Sequence, residues 1–304
     1  MHRTTRRKAG RLIGLLAVSV TLLAAGCSAE EEEEEVPDVT DVTVSEDTSA
    51  EPEIEFTAPL NIDQLEVTTV VEGDGPELAE GDLALIQAVL VDAQSQEEHI
   101  NTWSSEPRAM HLTVTSAGQG LYTALVGAQP GDRILLKEPP EADEVTTGRV
   151  AVLDVLPSKV AGEEIEPSDD LPSVSFTSNG APSVTIDEDL EVPSELVSQS
   201  LVKGEGKQVR AGQTVTMNYY GVRWEDGEVV DTTWTEEQLP RSYQVGVGDM
   251  PSGFDSGLLE QRIGSRLMLV LPPEEGYPDE GVTVFIVELL AVTGEPIELD
   301  SLED

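Results

Sequence analysis

The sequence is poor in the residues on which covalent and metal-based catalysis usually depend. It has one cysteine in 304 residues, which excludes an internal disulfide and a cysteine-rich metal site. Outside the amino-terminal segment it has two isolated histidines, His99 and His111, and we predict that neither is a metal ligand. Lys and Arg total 17 against 60 Asp and Glu, a formal charge of -43. Because phosphate binding needs clustered cations, this balance argues against nucleic acid as a partner.

Residues 1–26 are typical of a secretory signal, with a basic region before an apolar run that is too short for a comfortable membrane span. The run ends in Leu23-Ala24-Ala25-Gly26-Cys27. Small residues before a lone cysteine resemble a bacterial lipobox. We therefore expect removal of residues 1–26, lipidation of Cys27 and an extracytoplasmic protein held on the bacterial cell membrane by its lipid. An ordinary secreted protein or an uncleaved anchor is the alternative.

Residues 27–53 form an acidic segment that contains six consecutive glutamates and no Lys or Arg. Self-repulsion and the shortage of large apolar side chains predict a disordered, extended linker. Its expected role is to hold the folded part away from the membrane. A solvated tail without a task is the alternative.

An internal repeat divides the rest of the chain into two similar parts. Glu72-Gly73-Asp74-Gly75 is echoed by Lys203-Gly204-Glu205-Gly206, and Pro139-Pro140 by Pro272-Pro273. Glycines and prolines recur where turns would fall, which indicates a shared backbone. The predicted boundaries are 54–158 and 172–295 for two domains, 159–171 for a linker and 296–304 for an acidic tail.

The second copy has strand periodicity and one helical segment. Three runs rich in β-branched or apolar residues predict antiparallel strands: residues 213–222, 267–271 and 282–290. Ser252 and Asp255 predict an N-cap with a capping box, and Gly264 predicts the end of the helix. The expected fold class is α+β, with a curved antiparallel sheet wrapped on one short helix in each copy.

Six motifs follow one another in the second copy: GQTVTMNYYG at 212–221, DGEVVDTT at 226–233, GVGDMPSGFDSGL at 246–258, IGSR at 263–266, LPPEEGY at 271–277 and VFIVEL at 284–289. Each motif alone is weak. Together, in this order and at this spacing, they resemble the FKBP-type peptidyl-prolyl isomerases over about residues 200–292. The expected fold is two FKBP-like domains, of which the second is nearly a whole family domain.

The resemblance implies a pocket for a proline ring, built from five catalytic residues. Phe254 takes the floor position, where the family usually has Trp. Tyr219, Tyr277 and Phe285 take aromatic wall positions, and Asp231 takes the position of the acidic residue of the pocket. Phe254 and Phe285 as simple core residues, Tyr219 as a strand aromatic, Asp231 as a turn cap and Tyr277 as a loop anchor are the structural alternatives.

The resemblance also implies how the substrate backbone is held. Val230 stands where Phe is usual, and Met250-Pro251 stands where Val-Ile is usual. Met250 is expected to supply the backbone amide that, in the family, donates a hydrogen bond to a ligand carbonyl. Pro251 has no N–H group of its own.

Proline isomerisation suits a sequence without nucleophiles or metal ligands. No bond is broken when an X–Pro amide rotates, and the twisted amide is less dipolar than the planar one. A dry aromatic pocket therefore favours the twisted state. We expect an isomerase that needs no cofactor, acts on proline-containing polypeptide clients and assists their folding.

Two departures from the family pattern predict weak activity and weak or no binding of macrolide inhibitors. The family's long loop after its Tyr-Gly overhangs the pocket, and here Tyr277 is followed only by Pro278-Asp-Glu-Gly281 before the closing strand. Arg241 stands where an apolar wall residue is common.

The first copy departs further, because all five pocket residue types are replaced. Opposite Tyr219, Asp231, Phe254, Tyr277 and Phe285 stand Ala88, Ile100, Leu121, Glu144 and Ala151. We expect this copy to keep the fold without the catalysis. A non-catalytic binding or chaperone lipoprotein, built from two degenerate copies, is the alternative function for the whole chain.

Overall fold

The computed structural model describes residues 41–140, 147–177, 180–235 and 238–297. The predicted signal, Cys27 and most of the predicted tail lie outside the described residues. No helix among the described residues is long and apolar enough to cross a membrane. The strands and helices are β1 Thr43–Val44, β2 Ile54–Glu55, β3 Glu66–Val71, β4 Leu83–Asp92, β5 Glu98–Asn101, β6 Arg108–His111, α1 Val114–Leu125, β7 Arg133–Glu138, β8 Arg149–Leu156, β9 Ser173–Phe176, β10 Pro182–Thr185, β11 Val197–Val202, β12 Thr214–Arg223, β13 Val229–Thr232, β14 Arg241–Gln244, α2 Ser252–Leu258, β15 Arg266–Leu271, a 3-10 helix Pro278–Glu280 and β16 Thr283–Thr293.

Two six-stranded antiparallel sheets have the same topology. The first domain has the order β3-β7-β8-β4-β5, with β6 also paired to β4. The second domain has the order β11-β15-β16-β12-β13, with β14 also paired to β12. One helix, α1 or α2, precedes the second long hairpin of each domain. This repeat of strand order confirms the predicted α+β class with two FKBP-like sheets.

Each sheet is buried on both faces. One face of the second sheet packs under α2 through a core that includes Val215, Leu267 and Val287. The opposite face packs under the hairpin β9–β10, where Phe176 covers buried Met268 and Ile286. The first domain repeats this arrangement with α1 on one face and the hairpin β1–β2 on the other. Because both faces bury apolar side chains, the sequences of the long strands are nearly continuous apolar runs.

A buried arginine–carboxylate pair lies at the same place in each sheet. Arg133 Nε donates to Asp154 Oδ1 over 2.6 Å, and Arg266 Nη2 donates to Glu288 Oε1 over 2.7 Å. The strand register aligns both arginines with their carboxylates across β7–β8 and β15–β16. Burial raises the pKa of Asp154 and of Glu288, and the hydrogen bond from each arginine opposes that rise.

These arginines also hold the covering hairpins. Arg133 Nη1 donates to the carbonyls of Ser45 and Asp47, both at 2.9 Å, and Nη2 donates to Ala50 at 2.8 Å. In the second domain the guanidinium of Arg266 lies 4.0 Å from the ring centroid of Phe176. The hairpin of the first domain is therefore fixed by hydrogen bonds and that of the second by stacking.

The repeated glycines mark a close approach of two loops. A Cβ on Gly73 would lie 2.3 Å from the carbonyl oxygen of Pro130, and one on Gly204 would lie 2.3 Å from that of Ile263. The neighbouring Gly131 and Gly264 have φ of 98° and 87°, which other residues rarely adopt. The repeat of glycines thus follows from a shared backbone contact.

The structure differs from three local predictions. Part of the segment predicted as a disordered linker is folded. Val42 is buried, and β1, within the predicted linker, pairs with β2 just beyond its end. Ser252 is the first helical residue rather than the N-cap, which is Pro251 without a side-chain hydrogen bond. The helix ends at Leu258, because Leu259 adopts an extended conformation, so Gly264 serves the next turn instead.

The join between the domains is packed rather than free. Ile165 N donates to Leu201 O at 2.7 Å, and Glu164 forms an isolated bridge to Val202. A small apolar cluster combines side chains of both domains and of the join: Leu85, Val160, Val202, Leu290 and Ala291. The predicted linker at 159–171 therefore contributes to the core between the sheets.

Candidate active site

The second sheet brings three of the predicted site residues together through its register. Gly221 of β12 pairs with Asp231 on β13 and with Phe285 on β16. Tyr219 lies two residues before Gly221 on the same face of β12, so its ring lies beside both Asp231 and Phe285. Its backbone N–H donates to Thr233 Oγ1 at 2.9 Å, which fixes the end of β13 against β12.

Three aromatic rings converge on that of Phe285. The ring centroid of Phe285 lies 4.9 Å from that of Phe254, 5.7 Å from that of Tyr277 and 6.3 Å from that of Tyr219. The Phe254 and Phe285 rings meet edge to face, the arrangement that the ring quadrupole favours. Phe285, Phe254 and Tyr219 are buried, and Tyr277 is half-buried at the edge of the cluster.

The position of the Phe285 ring depends on the glycine opposite. A Cβ on Gly221 would lie 2.2 Å from Cε1 of Phe285. Only a residue without a side chain lets the ring lie flat against β12 at this point. The Tyr-Tyr-Gly sequence of β12 thus sets where the central ring of the site lies.

A polar network closes one side of the ring cluster. The Tyr219 hydroxyl donates to Asp231 Oδ2 at 2.7 Å, and Arg241 Nη1 donates to the Tyr219 oxygen at 2.6 Å and to Asp231 Oδ2 at 3.1 Å. The Asp231 and Arg241 side chains are 44% and 39% exposed, so this side of the site faces solvent. Burial, and after it the hydrogen bond to Asp231, raises the pKa of Tyr219, which keeps this hydroxyl protonated.

Arg241, which the resemblance places where an apolar wall residue is common, contributes a polar group to the site. Its guanidinium lies 5.6 Å from the centroid of the Tyr219 ring in addition to its hydrogen bonds. The pairing of β14 with β12 places it there, opposite Met217. The repeat carries a signal for it, because Pro107-Arg108 in the first copy matches Pro240-Arg241 in the second.

The loop before α2 presents an unpartnered backbone donor to the site. Met250 packs against the aromatic core, and its N–H donates to no acceptor among the described residues. Asp255 holds this loop by accepting from Gly246 N at 2.8 Å and from Gly248 N at 3.0 Å. The Asp255 carboxylate, which was predicted to form a capping box, therefore accepts hydrogen bonds from the loop before the helix instead. Pro251 is the N-cap of α2 and contributes no backbone donor.

The segment after Tyr277 is one 3-10 turn. Residues Pro278–Glu280 form it, and Glu280 accepts from Arg223 Nη2 at 2.7 Å. This ion pair ties the turn to β12. Burial raises the pKa of Tyr277, and its hydroxyl makes no hydrogen bond within the described part of the chain. Val230 is half-buried on β13, one residue before Asp231.

The first domain places smaller side chains at the equivalent positions. Leu90 of β4 pairs with Ile100 on β5 and with Ala151 on β8. Leu90 therefore corresponds to Gly221, Ile100 to Asp231 and Ala151 to Phe285. Ala88 lies two residues before Leu90 and corresponds to Tyr219. Four of the five predicted replacements, Ala88, Ile100, Leu121 and Ala151, line a cavity of about 470 Å³. Glu144 lies outside the described residues.

Comparisons with known proteins identify the second domain. A family model described as FKBP-type peptidyl-prolyl cis-trans isomerase matches residues 205–290. The FK506-binding protein of Streptomyces anulatus is 32% identical over 112 residues, which cover 34% of this chain and 90% of that protein. The probable FK506-binding protein of Corynebacterium glutamicum is 32% identical over 107 residues, which cover 33% of this chain and 88% of that protein.

The chain belongs to the FKBP family. The resemblance that the six motifs predicted is thereby confirmed, and membership implies the peptidyl-prolyl isomerase class for the matched domain. Among solved structures, AtFKBP13 is 26% identical with a TM-score of 0.30 and covers 33% of this chain and 94% of its own. The three FKBP domains of wheat FKBP73 are 16% identical with a TM-score of 0.31 and cover 76% of this chain and 95% of theirs.

Among the described residues, no group of three or more His, Cys, Asp or Glu side chains is placed to hold a metal ion. The family match begins after the hairpin β9–β10, so it includes neither this hairpin nor the first domain with its cavity. The catalytic and substrate-binding roles of the individual site residues stay predictions, to which the geometry adds Arg241.

Proposed function

We propose that the second domain catalyses cis–trans isomerisation of X–Pro bonds in extracytoplasmic client polypeptides and so assists their folding. One observation carries the proposal: the site joins a buried aromatic cluster to two donors that have no partner in the described part of the chain, the Tyr277 hydroxyl and the Met250 N–H. The aromatic cluster suits a pyrrolidine ring, and the donors suit the carbonyls beside it.

The chemistry requires only that the twisted amide be favoured over the planar one. An amide rotates across a barrier of about 18–20 kcal/mol, and an X–Pro bond takes tens to hundreds of seconds without a catalyst. The buried rings of Phe254 and Phe285 keep water from the amide, which removes solvation that stabilises the planar, more dipolar state. Donors that hold the flanking backbone let one side of the bond turn against the other.

Tyr219, Asp231 and Arg241 act as a fixed wall in this proposal rather than as an acid or base. The Tyr219 hydroxyl already donates to Asp231, and its raised pKa keeps the proton in place. Arg241 balances the carboxylate, so the polar wall carries little net charge. The wall orients the Tyr219 ring toward Phe285 and leaves substrate hydrogen bonding to Tyr277 and Met250.

We expect weak catalysis and weak or no macrolide binding. Val230 and Phe254 are smaller than the Phe and Trp usual at these positions, so less apolar surface meets the ligand. The single 3-10 turn after Tyr277, tied down by Arg223, leaves the pocket without a long overhanging loop. Each change reduces contact with a large ligand more than with a proline ring.

We also propose that the chain is a lipoprotein anchored through Cys27 to the outer side of the bacterial cell membrane. The basic region, apolar run and small residues before Cys27 support this location. Cys27→Ser is expected to abolish the lipid mass on the mature amino terminus and to move the protein from the membrane to the soluble fraction. Unchanged membrane association of this variant would contradict the anchor.

A non-catalytic binding module is the second candidate function. It is favoured by the first domain, which keeps the fold and the buried ion pair while losing the aromatic site residues. In that case both domains hold clients and neither accelerates isomerisation.

The repeat supplies matched controls that separate the two functions. The test is isomerisation of a short X–Pro peptide by the full chain, at protein concentrations up to that of the peptide. Asp231→Ala and Phe254→Ala are expected to lower kcat/KM by about tenfold or more, because they remove a wall and the floor. Ile100→Ala and Leu121→Ala, at the equivalent first-domain positions, are expected to leave it unchanged. No acceleration by the unaltered chain, with aggregation still suppressed, would replace the isomerase with the binding module.

A further inference from the structure

The first domain contains a cavity that the isomerase proposal does not use. Its volume is about 470 Å³, within the range of about 300–1,000 Å³ typical of ligand sites. Its apolar walls come from three long strands and the helix, and include Ile86, Ala88, Leu121, Leu136 and Ala151. It lies under α1, where the second domain has its aromatic cluster.

The cavity exists because side chains at equivalent register positions are smaller. Ala88 stands where β12 has Tyr219, and Ala151 stands where β16 has Phe285. The backbone frame is unchanged, so the volume of a phenol and a phenyl ring is left unfilled. Leu90 takes the position of Gly221 and fills only part of that space.

An arginine without a partner lies at the rim. Arg108 pairs with Ile86 across β6–β4, as Arg241 pairs with Met217 across β14–β12. Arg241 bonds the hydroxyl and carboxylate of Tyr219 and Asp231, but Ala88 and Ile100 offer Arg108 neither group. Arg108 is exposed, and its side chain makes no hydrogen bond or ion pair with any described residue.

The other charged groups that line the cavity in the described part of the chain do not pair with Arg108. Glu138 and Arg149 also line the cavity and form an ion pair of 3.2 Å with each other. On a chain with a formal charge of -43, an arginine beside an apolar cavity that has no partner among the described residues is a specific feature. Its charge favours a ligand that combines an apolar body with an anion.

We propose that this cavity binds an aromatic side chain of an extended polypeptide that has a carboxylate next to it, with the carboxylate paired to Arg108. The aromatic ring takes the space that the Tyr219 and Phe285 rings fill in the second domain, and the carboxylate replaces that of Asp231. A polypeptide is favoured because Ile100 lies on β5, which has a strand partner on one side only within the described residues. Such an edge accepts an extended chain. This site does not require the isomerase activity.

The test uses the full chain and proline-free peptides, with binding measured by isothermal titration calorimetry. The probes are acetylated and amidated Ala-Ala-Phe-Glu-Ala, Ala-Ala-Phe-Gln-Ala and Ala-Ala-Ala-Glu-Ala. We expect the Phe-Glu peptide to bind about tenfold or more tightly than the Ala-Glu peptide, from burial of the ring. We expect it to bind about two- to fivefold more tightly than the Phe-Gln peptide, from a partly exposed ion pair. Equal binding of the Phe-Glu and Ala-Glu peptides overturns the proposal.

Two substitutions, each of which lowers the local charge by one, should remove the carboxylate preference. Arg108→Gln removes the cation, and Ile100→Asp gives it an internal partner where Asp231 stands in the second domain. In both variants the Phe-Glu and Phe-Gln peptides should bind equally. Ile100→Asn and Arg210→Gln, an exposed arginine of the second domain, are the matched controls and should keep the preference. A preference that survives both test variants overturns the assignment of Arg108.

Filling the cavity locates the ring-binding site. Ala88→Phe is expected to weaken binding of the Phe-Glu peptide by about tenfold or more, with thermal unfolding as the check on folding. If Ala88→Phe fails to fold, Ile100→Trp at the rim serves instead, because Ile100 is 41% exposed and tolerates a larger side chain. Unchanged binding in a folded filling variant places the ring elsewhere and overturns the proposal.

Discussion

The two domains share a frame and differ in the side chains that face their helices. Both sheets have the same strand order, the same glycine contact between loops and an arginine–carboxylate pair at the same register position. Under α2, however, three rings surround that of Phe285, whereas under α1 the equivalent positions leave a cavity of about 470 Å³.

The comparison teaches that the fold and the site depend on separate sets of residues. The frame rests on glycines in tight turns, on apolar strands and on the buried ion pair, all of which the first domain keeps. The site rests on a few positions along β12, β13, β14, β16 and α2 and on the adjoining loops. Those positions changed in the first domain without changing the strand order, so one backbone supports two kinds of site.

The largest expected effect would break the common frame. Arg133→Met and Arg266→Met each leave a buried carboxylate without its partner, which costs about 3–5 kcal/mol. Arg133→Met should cost more, because it also strips the hydrogen bonds from the carbonyls of Ser45, Asp47 and Ala50. Hydrogen exchange measured by mass spectrometry reports the loss separately for each domain.

The control for this prediction removes both charges of one pair. Arg133→Met with Asp154→Leu should recover much of the stability lost in Arg133→Met alone, since no buried charge is left unpaired. If Arg133→Met and Arg266→Met destabilise their domains equally, the hydrogen bonds to the first hairpin contribute nothing beyond stacking.

The frame could be predicted from the sequence because its signals are local and occur twice. Gly73 and Gly204 recur in the two copies, as do Arg133 and Arg266, and the structure gives each pair one physical cause. The strands predicted at 213–222, 267–271 and 282–290 correspond to β12, β15 and β16 with small shifts at their ends. Turn chemistry and apolar runs determine such elements directly.

The local assignments that differ from the structure depend on groups distant in sequence. Asp255 bonds Gly246 and Gly248 rather than the start of its own helix, and a capping pattern does not reveal this competition. Arg241 reaches Tyr219 only because β14 pairs with β12. The hairpin beside Val42 is held by Arg133, which lies far along the chain. The acidic composition of the segment does not show this contact, and for that reason the prediction of a disordered linker was wrong there.

A smaller effect would sharpen the difference between the two sites. Gly221→Ala should destabilise the second domain by about 1–3 kcal/mol, because the new methyl group overlaps the Phe285 ring. In a Phe285→Ala background the same change should cost almost nothing, as Leu90 opposite Ala151 indicates in the first domain. A double-mutant cycle by urea unfolding measures this coupling.

The control for this cycle uses the equivalent pair of positions in the first domain, Leu90→Val and Ala151→Gly. Neither position faces an aromatic ring there, so the effects of the two changes on the free energy of unfolding should be additive. Equal cost of Gly221→Ala with and without the Phe285 ring would show that β12 itself rejects a side chain at this point. In that case the ring would not be the reason for the glycine.

The smallest expected effect separates the loops that precede the two helices. Asp255→Ala removes the acceptor of Gly246 and Gly248 and should cost about 1 kcal/mol. Since Met250 lies in the same loop, KM for an X–Pro peptide should rise a few-fold with little change in kcat. Thr113→Ala removes the N-cap of α1, whose hydroxyl accepts from Ser116 N at 3.2 Å, and should cost a similar amount. Because no catalytic donor lies in that loop, isomerisation should not change; a rise in KM from Thr113→Ala would mean that the first domain also takes part in holding the substrate.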